Sequence, residues 1–385
     1  MVIQIVNLSF QDVFRRYSRK YNIFREVFQS GLLALEIRNA TNSLAESVHK
    51  IILGENEIAY KSVYHGKKFI DILIPGSIKN IKELSRRILS SGDEDLGYKI
   101  AGVIKNYEEY DNKSYTIGEK NFNFAKSYVM GILNVTPDSF SDGGKYIKID
   151  KAVSYALQML DEGADIIDIG GESSRPGSDS VSAEEEAERV IPALNKILEL
   201  RPDTIISVDT TKQIVAEEAL KNGAKIINDI SALNFEPDML NTIKKYNASL
   251  ILMHMKGNPK TMQNEPFYED VVTEVYDFLF NKLQIVNQAG IKNIIIDPGI
   301  GFGKLVEHNF ELIRRLEDFK CIGYPILIGV SRKTFIGKTL ALNVGERDTA
   351  TAAIESVAIK NGARIIRTHN VKFGVQVSKL LNNIL

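Results

Sequence analysis

From residue 128 onward, short apolar runs recur, and each is followed by polar residues and then an amphipathic stretch. The runs are YVMGILN (128–134), DIIDIGG (165–171), TIISVDT (204–210), KIINDIS (225–231), SLILMHM (249–255), NIIIDPG (293–299), PILIGVS (325–331) and RIIRTHN (364–370). Between them lie segments such as KAVSYALQMLDEG, AEEEAERVIPALNKILEL and KQIVAEEALKNG, whose apolar residues fall at helical spacing. The runs are continuous rather than alternating, so both of their faces must be buried, as in a parallel sheet covered by helices. Eight such β-then-α units fit a (β/α)8, or TIM, barrel. An open, doubly wound sheet is the competing arrangement. No repeat of solenoid length is present.

Upstream the pattern is mixed. Helix-like stretches at Ser43–Leu53 and Lys79–Ser91 alternate with strand-like ones at Glu57–Tyr64 and Phe69–Ile74, which predicts a small α/β domain. The polar, turn-rich stretch YEEYDNKSYTIGEKNFN (107–123) separates it from the barrel, with a small hairpin expected around Gly118-Glu119-Lys120. The expected division is an N-terminal α/β domain over 1–112 and a barrel over 113–385. No chemistry-bearing motif is visible in the first of these.

The chain has 48 basic and 49 acidic residues, a balance that argues against a general nucleic-acid-binding surface. Cys321 is the single cysteine, so neither an internal disulfide nor a thiolate metal cluster can form. Asn7, Gln11 and Asp12 interrupt the N-terminus too early for a signal-peptide core, and no apolar run approaches the ~18 residues of a membrane span. A soluble, cytoplasmic protein without a membrane or nucleic-acid partner is expected.

In such a barrel the site lies at the C-terminal ends of the strands. Here those ends carry Asn134, Glu172, Asp209, Asn228 with Asp229, His254, Asp297, Ser331 with Arg332 and Lys333, and Arg367 with His369. Helix capping and turn formation are enough to explain Asp229 and Thr210. A complete polar ring needs a further reason. Its cations gather after strands seven and eight, the common phosphate position of these barrels, and Arg175 in GESSRPGS could join them. A polyanion such as a diphosphate would suit Mg2+, and the neutral side-chain oxygen of Asn134 is a candidate ligand for it. Asp209, Asn228 and Asp297 offer the donors and acceptors that fit the edge of a flat heterocycle. Met253 and Met255 could pack on a ring face or simply fill the core. Asp297, before Pro298, could equally be a turn opener.

Three motif matches fail. GIGFGK (299–304) lacks the spacer and the Ser/Thr of a phosphate-binding loop, since Leu305 follows the lysine. GESSRPG has no partner residues for a serine nucleophile. His254 and His369 are too few for zinc, and His49, His65 and His308 read as solvated.

Taken in order, NVTPDSFSDGG, GESSRPG, SVDT, IND, LMHMKGNPKTMQ, DPGIGFGK, GVSRKTFIG and RTHN resemble the dihydropteroate synthases of the folate pathway over roughly residues 123–385. The resemblance implies condensation of 6-hydroxymethyl-7,8-dihydropterin diphosphate with 4-aminobenzoate, with Mg2+ as cofactor. It implies a pterin site of Asp209, Asn228, Asp297, Lys333 and Met253. It implies a diphosphate site of Asn134, Arg175, Arg367 and His369, with Asn134 on the metal. Ser174, Pro176, Phe302, Lys333 and Ser331 would surround the aminobenzoate, and Phe140 would cover it from a lid formed by the loops after strands one and two. Asp297, Lys333 and Arg367 would carry the chemistry.

Ser174, Thr368 and Asn370 depart from the family's commonest Thr, Val and Asp. A homodimer through outer barrel helices is also implied. The alternatives are a pterin-binding barrel that moves a methyl group from methyltetrahydrofolate, which has no use for a diphosphate cluster, and a non-catalytic pterin-binding protein.

Overall fold

Buried β-branched runs make eight strands, and in the computed structural model these close into one parallel barrel. The structure describes residues 1–24, 33–52, 59–62, 69–136, 145–173, 180–258 and 261–384, without the side chains of 145–148. The chain divides into two compact units, Met1–Tyr110 with Asp318–Gly323, and Asp111–Glu317 with Tyr324–Leu385.

The first unit runs β1 (Val2–Asn7), α1 (Gln11–Tyr21), β2 (Leu33–Ala40), α2 (Asn42–Ile52), β3 (Tyr60–Lys61), β4 (Ile70–Pro75), α3 (Ile78–Ser90) and α4 (Glu94–Glu108). Its strands form an antiparallel sheet in the order β1-β2-β4-β3. α2, α3 and β4 match the sequence expectation within one residue, and β3 is shorter than expected. β1, β2, α1 and α4 were not anticipated. Buried polar residues interrupt the strands: Gln4 on β1, and Glu36 and Arg38 on β2. Glu36 accepts from Tyr17, Tyr21, Lys20 and Arg38. Burial opposes its charge, yet Lys20 and Arg38 hold its carboxyl down to about 2. The six residues Asp318–Gly323, distant in sequence, complete this unit, where Cys321 Sγ accepts the Ile5 N–H at 3.4 Å.

The second unit opens with the expected hairpin, β5 (Ser114–Ile117) against β6 (Lys120–Asn123), turning at Gly118 with φ +58°. The barrel follows as β7 (Tyr128–Asn134), α5 (Lys145–Asp161), β8 (Ile166–Gly170), α6 (Ala183–Leu200), β9 (Ile205–Asp209), α7 (Gln213–Lys221), β10 (Ile226–Asp229) and α8 (Met239–Tyr246). It continues as β11 (Ser249–Met253), α9 (Val271–Gln288), β12 (Ile294–Asp297), α10 (Val306–Arg314), β13 (Ile326–Ile328), α11 (Thr334–Leu340), α12 (Asp348–Lys360), β14 (Ala363–Thr368) and α13 (Val371–Leu381). All eight expected strands form, and β14 closes on β7. Among the described residues, no helix is long and apolar enough to cross a membrane.

Candidate active site

Parallel register sets Asn134, Gly170, Asp209 and Asn228 side by side at the ends of β7, β8, β9 and β10. Gly170 leaves a gap in this row: a Cβ there would lie 3.7 Å from Asn134 Oδ1 and 3.7 Å from the Asp209 Cβ. Two residues below Gly170 on β8, and opposite Ser207 on β9, sits Asp168, which is 0% exposed.

Arg367, from β14, ties this group together. Its Nε donates to Asp168 Oδ2 at 2.6 Å, and its Nη2 donates to Asp209 Oδ2 at 2.8 Å. Asn228 Nδ2 donates to the same Asp168 oxygen at 3.2 Å. Burial, with Asp168 close by, pushes the Asp209 carboxyl up to about 7 against the pull of Arg367. A carboxyl so placed can accept a hydrogen bond or, when protonated, donate one. Arg367, expected at a diphosphate, therefore spends two donors on carboxylates, and its Nη1 keeps no partner among the described residues.

The loop after β12 supplies the next wall. Asp297 is buried, and its Oδ1 accepts the Gly299 N–H at 2.7 Å. Burial raises its pKa, opposed by that hydrogen bond and by Lys333. Lys333 Nζ lies 4.1 Å from the centre of the Phe302 ring, a cation–π contact. Burial and Arg367 push the Lys333 ammonium down to about 8, opposed by Asp297 and Asp209. Phe302 packs in one buried cluster with Met253, Ile230 and Met262, and Met255 lies against it. Met253, Phe302, Lys333 and Asp297 are thus gathered around one loop.

Lys333 owes its place to a strained turn. Arg332 adopts φ +55°, a conformation costing of order 1–3 kcal/mol for a non-glycine residue. Its N–H donates to Thr351 Oγ1 at 3.1 Å, its carbonyl accepts from Arg347 Nη1 at 2.9 Å, and its guanidinium makes a bidentate pair with Asp348. Arg332, counted above among the clustered cations, is therefore neutralised by Asp348, which also accepts from Asn370 at 2.9 Å. Ser331 Oγ accepts the His369 N–H at 3.1 Å and lies 3.0 Å from His369 Nδ1, joining the ends of strands seven and eight.

The remaining strand ends play other parts. Glu172 is bound by Lys212, which also holds Glu186. Asp229 pins the turn after β10, accepting from the Ser231 and Leu233 N–H groups, and Thr210 accepts from the Lys212 N–H. His308, expected to be solvated, is half-buried and accepts the Leu305 N–H at 3.1 Å through Nδ1. Phe140, Ser174, Arg175 and Pro176 lie outside the described residues.

Two residues escaped the sequence reading. Asp168 hides inside the apolar run DIIDIGG, where a lone carboxylate between isoleucines was itself the signal. Lys304 was set aside with the failed phosphate-loop match, yet it is buried against His254 Nδ1 at 2.9 Å. Burial and Lys304 together hold the His254 imidazole well below its usual range.

Among the described residues there is no group of three or more His, Cys, Asp or Glu that could hold a metal ion. Asn134, half-buried at the rim with no side-chain hydrogen-bond partner among those residues, fits a single protein oxygen on a cation that takes its other ligands from substrate and water.

Residues 130–369 match the model of the pterin binding enzyme family. The chain is 45% identical over 268 residues to a dihydropteroate synthase of Synechocystis, covering 69% of this chain and 92% of that protein. It is 48% identical over 245 residues to one of Haemophilus influenzae, covering 63% and 88%. The Yersinia pestis dihydropteroate synthase solved with a sulfonamide drug superposes at a TM-score of 0.67 with 40% identity, covering 71% of this chain and 99% of that one. The Xanthomonas albilineans enzyme solved with 4-aminobenzoic acid superposes at 0.66 with 37% identity, covering 70% and 97%. The strand-end constellation and these matches agree, and the chain belongs to the pterin-binding enzyme family and, within it, to the dihydropteroate synthases.

Proposed function

We propose that the barrel mouth condenses 6-hydroxymethyl-7,8-dihydropterin diphosphate with 4-aminobenzoate to give 7,8-dihydropteroate and pyrophosphate. The observation that carries this reading is the Arg367 bridge between Asp168 and Asp209, which fixes a buried acid-and-amide set beside a free guanidinium nitrogen. Asp209, Asn228 and Asp297 then meet the donors and acceptors of the pterin edge, with Met253 and Lys333 packing nearby. Phe302, Ser331 and Lys333 line the aminobenzoate seat, joined through the family resemblance by Ser174, Pro176 and Phe140. Arg367 Nη1, His369 and Asn134 receive the diphosphate, joined on the same ground by Arg175.

The arylamine is neutral near pH 7, so no strong base is needed. Its nitrogen lone pair forms the new C–N bond while the methylene C–O bond breaks, and the diphosphate leaves with the electron pair. The surplus amine proton passes to solvent. Asp297 stabilises positive charge on the pterin methylene, while Arg367 and His369 stabilise negative charge on the departing oxygens. Mg2+, held through Asn134, supplies further neutralisation of the diphosphate when bound. The same reading places the protein in the cytoplasm, as a homodimer formed through outer barrel helices.

The test is pyrophosphate release by the purified full chain. Release matched one for one by dihydropteroate, and dependent on both substrates and on Mg2+, supports the reading. Methyl transfer from methyltetrahydrofolate without pyrophosphate release would replace it with the methyltransferase alternative. Pterin binding without turnover would replace it with a non-catalytic role.

A further inference from the structure

Lys304 is 3% exposed, and its ammonium has no carboxylate in hydrogen-bond contact among the described residues. Nζ donates to the Gly299 carbonyl at 2.9 Å and to the Phe302 carbonyl at 3.0 Å, and lies 2.9 Å from His254 Nδ1. An ammonium has three N–H groups, and these three contacts are the shortest it makes, with the His254 carbonyl farther off at 3.4 Å. When Lys304 is charged, His254 Nδ1 accepts, which leaves the imidazole neutral with its proton on Nε2. A buried lysine with no carboxylate in hydrogen-bond contact is costly: burial pushes its ammonium down to about 7, opposed by the charge of Asp297, and a methionine would fill the same space more cheaply.

What Lys304 grips is the loop that carries Phe302. Gly299 (φ +71°) lies so close to the segment after β11 that a Cβ would stand 1.8 Å from the His254 carbonyl oxygen. At Gly303 (φ +63°) a Cβ would stand 2.4 Å from the Lys256 carbonyl oxygen. The loop therefore rests on that segment at two points, and Lys304 binds both together. Asp297 depends less on this grip. Its backbone is held by the ladder with Met253 and by the His254 N–H, which donates to its carbonyl at 3.0 Å. Phe302 itself is held by its turn hydrogen bond to Gly299 at 3.2 Å, its side-chain packing, the Lys333 cation–π contact and Lys304, while Gln263 and Asn309 hold Gly301 on one side of it and Tyr268 holds Gly303 on the other.

We propose that Lys304 is a positioning residue: its ammonium fixes the Phe302 carbonyl and so sets the aromatic wall of the arylamine seat, touching neither substrate. The inference rests on the reaction proposed above. It assigns a role to a lysine that the chemistry itself does not use.

The test is steady-state pyrophosphate release by Lys304→Met, with a cooperative thermal melt confirming the fold. The expected result is a KM for 4-aminobenzoate raised about tenfold or more, with the KM for the pterin diphosphate within about threefold. The His254 ring sits edge-on to Phe278, 4.9 Å between ring centres, so His254→Phe removes one acceptor but retains an aromatic ring there, and it is expected to shift the same constant about threefold. That variant decides the question if Lys304→Met does not fold. A double-mutant cycle with Phe302→Ala separates positioning from general loosening, because the double variant should then add little to Phe302→Ala alone. Unchanged constants in the folded variants, equal rises in both, or full additivity would overturn the inference. Inactivity of the unsubstituted protein would overturn the reaction, and the inference with it. An active protein whose variants keep both constants overturns the inference alone.

Discussion

Arg367 and Asp168 meet at 2.6 Å across an intervening strand, so the ends of strands eight and two are joined inside the barrel. Asp168→Asn keeps the shape but removes the charge that fixes the guanidinium. Breaking a buried ion pair costs about 3–5 kcal/mol when one partner is lost. Here Asp209 stays on Arg367, so the penalty is smaller. The expected outcome is a fall of roughly 10–100-fold in kcat/KM for the pterin diphosphate, measured in a protein with a near-native melt. Arg367→Lys should lose a similar amount, because an ammonium cannot present the planar fork that spans both carboxylates.

Gly299 tests the loop geometry. With φ at +71° and a Cβ only 1.8 Å from the His254 carbonyl oxygen, Gly299→Ala must displace either the loop or the end of β11. Gly290→Ala is the control, since Gly290 has φ +86° but no atom within 4 Å of an added Cβ. The control should cost about 1–2 kcal/mol from the backbone alone. Gly299→Ala should cost several kcal/mol more, read as a clearly larger drop in Tm by calorimetry.

Glu355, on α12, has both carboxyl oxygens buried, and burial, only partly offset by the Thr368 hydroxyl, pushes its pKa from 4.5 up to about 8. The folded state keeps a proton that the unfolded chain gives up. Its contribution to stability is therefore full below about pH 4.5 and is lost as the pH rises through about 8. Glu355→Gln should match the unsubstituted protein near pH 5 and exceed it by a few kcal/mol near pH 9, measured by urea unfolding.

Cys321 reports on the first unit. Burial pushes its thiol up to about 12, so little thiolate is present near neutral pH. Alkylation of the native full chain at pH 7.5 should run at least ~100-fold slower than in denaturant, and its rate should track local opening of that unit. Equal rates in both conditions would contradict the packing of Cys321 described above.

The barrel was legible because strands buried on both faces leave unbroken apolar runs, as in NIIIDPG and RIIRTHN. The ring of strand-end polar residues was legible for the same reason, since each apolar run stops at a polar residue. Asp168 was missed because it belongs to the interior, two positions before the strand ends. Glu172, read in its place, is occupied by Lys212. Arg332 stood in the right motif, but its partner Asp348 is 16 residues away, and nothing local announces that pair. In the first unit, Gln4, Glu36 and Arg38 break the apolar pattern of β1 and β2 yet are buried, with Arg38 bridging Gln4 Oε1 and Glu36. The grouping of Asp318–Gly323 with that unit is a long-range contact without a local signal.

The central claim is that Arg367 serves diphosphate departure from a pterin held by Lys333 and the strand-end acids. It is tested most directly by pyrophosphate release from the pterin diphosphate, with 4-aminobenzoate and Mg2+ saturating, in Arg367→Ala and Lys333→Ala. Each variant should turn over at least ~10-fold more slowly than the unsubstituted protein while retaining its fold. Turnover within about twofold of the unsubstituted protein in both variants would contradict the assignment.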